Sequence, residues 1–321
     1  MSRYIIGIDG GGTKTIYALA DETGKIIQTY AASSISYHEY GIDTIIDRIK
    51  AGIRNVCAGA DIKENQIRWI AAGIPCNGEN SSADKQIKEK LQAYLSCRWI
   101  LVNDAVIGFY GALGGKAGIN VVSGTGSIAY GEDEEGNTAR SGGWSDLVGD
   151  EGSCAWIGKK GMELFFKEAD ERVQRGSLYT IVKETYALRN DMDFIPIAEQ
   201  KIFPNRKETA SFQKLVLKAA EQKDTEAQKL YEMAAHELFL MADSVRRQLQ
   251  FAGDVPVSLT GGLRHASAFV LPSFQKELAA HHMYYQEPMK EPYEGAVILG
   301  QQAAGADPAS QSGKDSAPPA Y

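Results

Sequence analysis

The chain has 321 residues, more than one small core requires and enough for two domains of ordinary size. Hydrophobic residues make up 44% and charged residues 23%, an ordinary balance for a soluble globular protein, and the net charge of -7 argues against a nucleic-acid binder, which carries a basic excess. No apolar run reaches membrane-spanning length and no secretory core follows Met1, so the cytoplasm is the expected location.

Tyr4 to Asp9 reads as a buried strand, Gly10-Gly11-Gly12-Thr13 as a tight turn, Thr15 to Ala20 as a second strand and Lys25 to Ala32 as a third, joined by the hairpin Asp21-Glu22-Thr23-Gly24. This meander differs from the strand–loop–helix opening of dinucleotide-binding and P-loop folds. Ile45, Ile46, Ile49, Ile53 and Val56 give helical spacing over Gly41 to Gly59. A strand over Ile67 to Pro75, a helix over Ala83 to Leu95 and a strand over Arg98 to Asn103 follow, and a helix from Asp104 to Leu113 stops at Gly114-Gly115. The meander then restarts: a strand over Ile119 to Ser123, the turn Gly124-Thr125-Gly126-Ser127, a strand over Ile128 to Tyr130 and the polar turn Glu132 to Asn137. This weak internal repeat predicts two related domains.

The second half is largely helical, with helices expected over 153–168, 178–189, 211–222 and 225–251. A strand over Val255 to Thr260 runs into Gly261-Gly262. A helix over Ser267 to Ala280, an extended Met283 to Gln286 and a helix over Glu294 to Ala304 close the pattern, and the residues after Gly305 have the composition of a disordered tail. Cys57, Cys76, Cys97 and Cys154 form no CxxC pair; reduced, mostly buried cysteines are expected, with neither a zinc site nor a disulfide framework. His236, His265, His281 and His282 lack metal-ligand spacing. The stripe Leu230, Met233, Ala234, Leu238, Met241, Val245 and Leu249 reads as core or a subunit face, Tyr284-Tyr285 as strand packing and Arg246-Arg247 as a solvated face.

Five motifs carry chemistry. In Asp9-Gly10-Gly11-Gly12-Thr13-Lys14-Thr15, glycines let backbone N–H groups approach phosphate oxygens and the carboxylate can hold magnesium. Ser123-Gly124-Thr125-Gly126-Ser127 is the equivalent turn in the second half, and together the two suit a polyphosphate. Asn103-Asp104 places a carboxylate at the end of a buried strand, where it can accept the proton of an attacking hydroxyl or serve as a helix N-cap. Gly142 to Ser153, with Trp144, Ser145, Asp146, Asp150 and Glu151, reads as a polar recognition loop suited to sugar hydroxyls, although Asp150 or Ser153 can also cap the following helix. Thr260-Gly261-Gly262 can let an adenine or ribose lie against the backbone.

Taken in order, DGGGTKT, ND, SGTGS, GGW…GDEGS and TGG resemble the BadF/BadG/BcrA/BcrD-type ATPase family, and within it the N-acetylglucosamine kinase branch. The resemblance implies an α/β fold of two ribonuclease-H-like (actin-like ATPase) domains with a nucleotide cleft between them. The implied boundaries are 1–115 plus 293–305 for the N-terminal domain and 116–292 for the C-terminal domain, with a tail over 306–321. It implies ATP and Mg2+ as cofactors and an amino sugar as substrate; the charge balance and the lack of a spanning apolar run leave no nucleic-acid or membrane partner expected, and a homodimer is expected because dimers are the commonest soluble oligomers. Asp104 is the implied general base and Asp9 the implied metal ligand. Gly11, Gly12, Thr13, Lys14, Gly124, Thr125, Gly126, Gly261 and Gly262 are implied at the nucleotide, and Ser36, Gly143, Trp144 and Asp150 at the sugar.

Two departures fall where the sugar is expected. The asparagine that N-acetylglucosamine kinases carry after the third strand is missing from Ser33-Ser34-Ile35-Ser36-Tyr37-His38-Glu39, where Ser36 is the nearest stand-in and His38 and Glu39 are within reach. Ser145-Asp146 replaces the usual pair after the tryptophan. A second reading, an ATPase activator of 2-hydroxyacyl-CoA dehydratase or benzoyl-CoA reductase systems, requires closely placed cysteines that this sequence does not show. A third, a non-catalytic sugar sensor, would be expected to lose the base or gain a DNA-binding segment; Asp104 is present and no such segment is read.

Overall fold

The structure is a computed structural model and describes residues 4–145 and 147–306. Asp146 and the tail expected over 306–321, from residue 307 on, lie outside the described residues. The chain divides into two compact units. One comprises the residues up to Lys116 together with those from Pro288 onward, and the other is Ala117–Glu287.

The first unit opens with β1 (Tyr4–Gly10), β2 (Lys14–Ala20) and β3 (Ile26–Ser33), then the short α1 (Tyr37–Tyr40) and α2 (Ile42–Ala58). β4 (Ile67–Ile74), α3 (Ser81–Gln92), β5 (Arg98–Asn103) and α4 (Asp104–Leu113) follow. Its sheet has the order β3-β2-β1-β4-β5, antiparallel through the meander and parallel from β1 to β5.

The second unit repeats this plan with β6 (Gly118–Ser123), β7 (Ser127–Glu132) and β8 (Thr138–Gly142). Its helices are α5 (Cys154–Ala169), α6 (Ser177–Thr185), α7 (Phe194–Ile197), α8 (Arg206–Glu221) and α9 (Thr225–Gln248). β9 (Val255–Thr260), α10 (Ser267–Ala280) and β10 (Met283–Tyr285) complete it. Read from β8, the sheet runs β8-β7-β6-β9-β10, the first unit's order with its pairings preserved. The internal repeat is therefore topological, and each sheet has the ribonuclease-H-like arrangement expected.

The last helix, α11 (Pro292–Ala306), belongs to the first unit, where Val297 packs with Ile5, Ala18 and Ala20. A Cβ on Gly7 of β1 would stand 2.7 Å from Tyr293 O, so glycine lets the helix lie directly on the strand. Across the sheet, α2 lays Ile45, Ile46, Ile49, Ile53 and Val56 into a core with Ile6, Ile8 and Tyr17. The second unit's core is more aromatic, with the Phe194 ring in contact with Phe165 and Phe212 at ring separations of 5.1 and 5.9 Å.

Local chemistry moves several boundaries. α8 begins at Arg206 because Asn205 Oδ1 accepts from the N–H groups of Lys207 and Glu208 at 3.0 and 3.3 Å. α6 ends at Thr185, before Ala187 takes a left-handed φ of 50°, and α9 ends at Gln248 because Leu249 is extended. The expected α9 stripe is buried at Leu230, Ala234, Leu238, Met241 and Val245, but Met233 is 48% exposed. Tyr284 is exposed too, since β10 is an edge strand and alternate residues point outward, with Met283 buried. Cys57 and Cys154 are buried, whereas Cys76 and Cys97 are only partly covered. Among the described residues, no helix is long and apolar enough to cross a membrane.

Candidate active site

In the first unit the site grows from the carboxyl ends of parallel strands, where α/β sheets leave room for ligands. Asp9 on β1 pairs in register with Gly73 on β4, and Ile74, the next residue, pairs with Asn103 on β5. This register brings Asp9 and Asp104 to the same end of the sheet. Gly73 is what lets α4 begin so close, since a Cβ there would stand 3.2 Å from Asp104 Cα.

Asn103, not Asp104, is the N-cap of α4. Its Oδ1 accepts from Ala105 N at 3.0 Å while its Nδ2 donates to Asn77 O at 3.0 Å. The capping duty considered for Asp104 thus falls to its neighbour. Asp104 Oδ1 accepts a share of the same Ala105 N–H at 3.1 Å, and burial pushes its carboxyl up to about 6, helped by the charge of Glu79 and resisted by backbone N–H groups. Asp9 is pushed further, to about 7, by burial first and then by Asp104 and Glu291, with Lys14 opposing. Clustered acids that resist ionising together are a setting in which a divalent cation is welcome, so Asp9 and its neighbours fit magnesium. The turn after Asp9 closes by Gly11 N donating to Lys14 O at 2.9 Å, leaving Thr13 and Lys14 exposed. Apart from Gly12 itself and its chain neighbours Gly11 and Thr13, no described atom lies within 4 Å of where a Cβ on Gly12 would stand, so that backbone is open to a phosphate.

Ser36 lies at the head of α1. Its N–H donates to Ser34 Oγ at 3.1 Å, and the preceding Ile35 packs so closely on Gly10 that a Cβ there would meet Ile35 Cδ1 at 2.7 Å. The segment with the missing asparagine therefore runs beside the Asp9 turn.

In the second unit the SGTGS and TGG turns leave neighbouring parallel strands at one end, because Val122 pairs with Thr260. Gly261 has φ 94°, and a Cβ on it would stand 2.6 Å from the Ser123 carbonyl carbon, so only glycine serves both conformation and space. The GDEGS segment holds the SGTGS turn from below. Ser123 Oγ donates to Gly152 O at 2.9 Å, Ser127 Oγ to Glu151 O at 2.7 Å, and Cys154 N to Gly124 O at 2.9 Å. Ser153 Oγ caps α5 by accepting from Trp156 N at 3.1 Å.

Asp150 is buried and holds a left-handed φ of 60°. Its Oδ1 accepts from Ser127 N at 3.2 Å, and its Oδ2 pairs with Arg206 at the start of α8. Gly143 N donates to Ser127 O at 3.0 Å, and Trp144, 75% exposed, carries the Arg140 guanidinium over its ring at 4.7 Å. Gly124, Thr125 and Gly126, Asp150, Gly143 and the Gly261-Gly262 turn thus form one cluster in the second unit, while Asp9, the Gly11 to Lys14 turn, Asp104 and the Ser36 segment form another in the first. Sequence reasoning missed Arg206, Asn77 and Glu291, which lie far along the chain from the motifs they serve.

The model of the BadF/BadG/BcrA/BcrD ATPase family matches residues 6–300, nearly the whole of the described chain. The chain belongs to the BadF/BadG/BcrA/BcrD ATPase family. It is 31% identical over 283 residues to an N-acetylmuramic acid/N-acetylglucosamine kinase of Clostridium acetobutylicum, covering 86% of this chain and 90% of that protein. It is 29% identical over 274 residues to an N-acetyl-D-glucosamine kinase of Dictyostelium discoideum, covering 82% and 86%. A crystal structure of a candidate N-acetylglucosamine kinase from Chromobacterium violaceum superimposes with a TM-score of 0.73 at 25% identity, over 92% of this chain and 98% of that one. The BadF/BadG/BcrA/BcrD match spans all five motifs, from the DGGGTKT turn to TGG.

Proposed function

We propose that this protein is an ATP-dependent kinase that phosphorylates an amino sugar, N-acetylglucosamine or a close relative such as N-acetylmuramic acid, at a primary hydroxyl. The observation that carries the reading is the placement of Asp9 and Asp104 at one end of the first unit's sheet, beside a glycine turn with open backbone. The relatives from C. acetobutylicum and D. discoideum support the choice of sugar.

Asp104 is the general base. With its carboxyl at about 6 it is ionised at neutral pH, and it accepts the hydroxyl proton as the sugar oxygen bonds to the γ-phosphorus and the bond to ADP breaks. Magnesium bound with the nucleotide neutralises charge on the phosphoryl oxygens, and Asp9 is the residue to hold it. The Gly11 to Lys14 turn presents backbone N–H groups and the Lys14 ammonium to phosphate oxygens, and the Gly124 to Gly126 turn offers a second set. Gly261 and Gly262 line the nucleotide. Ser36, Gly143, Trp144 and Asp150 orient the sugar.

The activator reading is less well supported. Cys154 is buried at the head of α5, where burial pushes its thiol up to about 11, the opposite of what a cluster ligand requires.

ADP release from magnesium and ATP, measured with and without a panel of amino sugars, tests the proposal. A large rate increase with one sugar, together with its 6-phosphorylated product, is the expected result. Slow hydrolysis that ignores every sugar would overturn it.

A further inference from the structure

His38, Cys76 and Glu79 come from two segments of the first unit, His38 from α1 and the other two from the turn that follows β4. A ring nitrogen of His38, Cys76 Sγ and a Glu79 carboxylate oxygen all lie within 4.8 Å of one another. We propose that these three side chains form a binding site for a thiophilic divalent cation, zinc by preference, separate from the magnesium that accompanies ATP.

The donor set selects the ion. Imidazole, thiolate and carboxylate are the ligand types of four-coordinate zinc, whereas magnesium takes oxygen donors and shuns sulfur. Zinc–sulfur and zinc–nitrogen bonds of about 2.3 and 2.0 Å put tetrahedral ligands about 3.5 Å apart, so the cluster has only to contract slightly. Three protein ligands leave a fourth position for water.

The surroundings hold the ligands in place. Tyr37 stacks on the His38 ring at 4.4 Å and donates its hydroxyl to Cys76 O at 3.1 Å, so one side chain ties the imidazole to the turn. The same carbonyl accepts from Glu79 N at 3.2 Å, and Gly78 N donates to Asp84 Oδ2 at 3.0 Å. Cys76 holds a left-handed φ of 64°, a conformation glycine would adopt more cheaply, and there its sulfur meets the other two donors. The Glu79 carboxylate forms no ion pair among the described residues, and its charge is one of those acting on Asp104. Loading the site compensates that charge and pins α1, the helix headed by Ser36. On the kinase reading above, and only on it, zinc therefore slows sugar turnover.

Titration of the metal-free chain with cobalt(II), followed by absorption, tests the site without any assay of activity. The expected result is a thiolate-to-cobalt charge-transfer band with tetrahedral d–d bands at one equivalent, displaced by zinc. Cys76→Ser removes the charge-transfer band, His38→Gln and Glu79→Gln weaken binding at least tenfold, and Cys97→Ser leaves it intact. The proposal is overturned by a wild-type chain that gives no such spectrum, by a band that survives in Cys76→Ser, or by one that disappears in Cys97→Ser. Zinc added over excess magnesium should then inhibit wild type and spare Cys76→Ser. If cobalt binds as expected but no sugar is ever phosphorylated, the metal site stands and the kinase reading fails.

Discussion

Arg206, at the first turn of α8, pairs with the carboxylate of Asp150, a residue 56 positions earlier whose other oxygen holds the Ser127 N–H. The pair connects the loop expected at the sugar with the turn expected at the phosphates. Removing Arg206 leaves a buried carboxylate short of its cation. A fully buried pair would lose about 3–5 kcal/mol on such a change, but Arg206 is 48% exposed, so about 1–2 kcal/mol is expected. Arg206→Ala should lower the melting temperature by a few degrees and raise the sugar KM, with Arg206→Lys recovering part of both. Wild-type values for Arg206→Ala would dismiss the pair as a positioning device.

Asp104→Asn should keep the fold and nucleotide binding but reduce kcat by about two to four orders of magnitude, the usual worth of a general base. Circular dichroism and a nucleotide-binding titration check the first part, and steady-state ADP release the second. Near-normal turnover would remove Asp104 as the base.

The two raised acids give a pH signature. Protonated Asp104 cannot accept a proton, so kcat/KM should fall as pH drops through about 6. Asp9, at about 7, must be deprotonated to hold a cation, so the magnesium requirement should rise below that pH, by at most about tenfold per pH unit. Magnesium titrations at pH 6 and pH 8 separate the effects, and an unchanged requirement would place the ion away from Asp9.

Glu168 on α5 is fully buried. Its Oε1 accepts from Gly176 N at 2.8 Å, its Oε2 has no partner among the described residues, and burial pushes it up to about 7. The unfolded chain ionises this group near the ordinary 4.5, while the folded chain keeps it protonated to about 7. Stability is therefore lost as pH rises across that window and levels off above it. Glu168→Gln imitates the protonated form, so its melting temperature relative to wild type should be higher at pH 8 than at pH 5. An equal difference at both pH values would show that the carboxyl ionises normally in the fold.

Gly261→Ala should cost about 2–4 kcal/mol, summing a left-handed backbone penalty with the clash against Ser123. Thermal melting reads this directly, and a loss under about 0.5 kcal/mol would contradict the close approach of the two turns.

Much of this was legible in the sequence because the carrying signals are local. Glycine turns between apolar runs marked both meanders, and the five motifs fell on strand ends where the sheets put them. What was hidden depends on distant partners. Asp150 reads in sequence as a sugar ligand or a cap, and only the fold brings Arg206 to it. Asn103-Asp104 offers two side chains for one cap, a choice decided by the reach of Asn103 to the Asn77 carbonyl. Spacing rules that search for paired cysteines pass over His38, Cys76 and Glu79 because two separate segments supply them.

The return of α11 to the first unit has a consequence for the chain as it is made. The second unit is one continuous stretch, Ala117–Glu287, and can assemble its sheet as soon as that stretch has left the ribosome. The first unit cannot finish in sequence order. Until residues 292–306 emerge, Ile5, Ala18 and Ala20 lack the cover of Val297, and β1 waits as a half-dressed strand for a helix translated only after the whole second unit. Nascent chains stalled before Pro292 should therefore hold a protease-resistant second unit and a first unit still open to digestion.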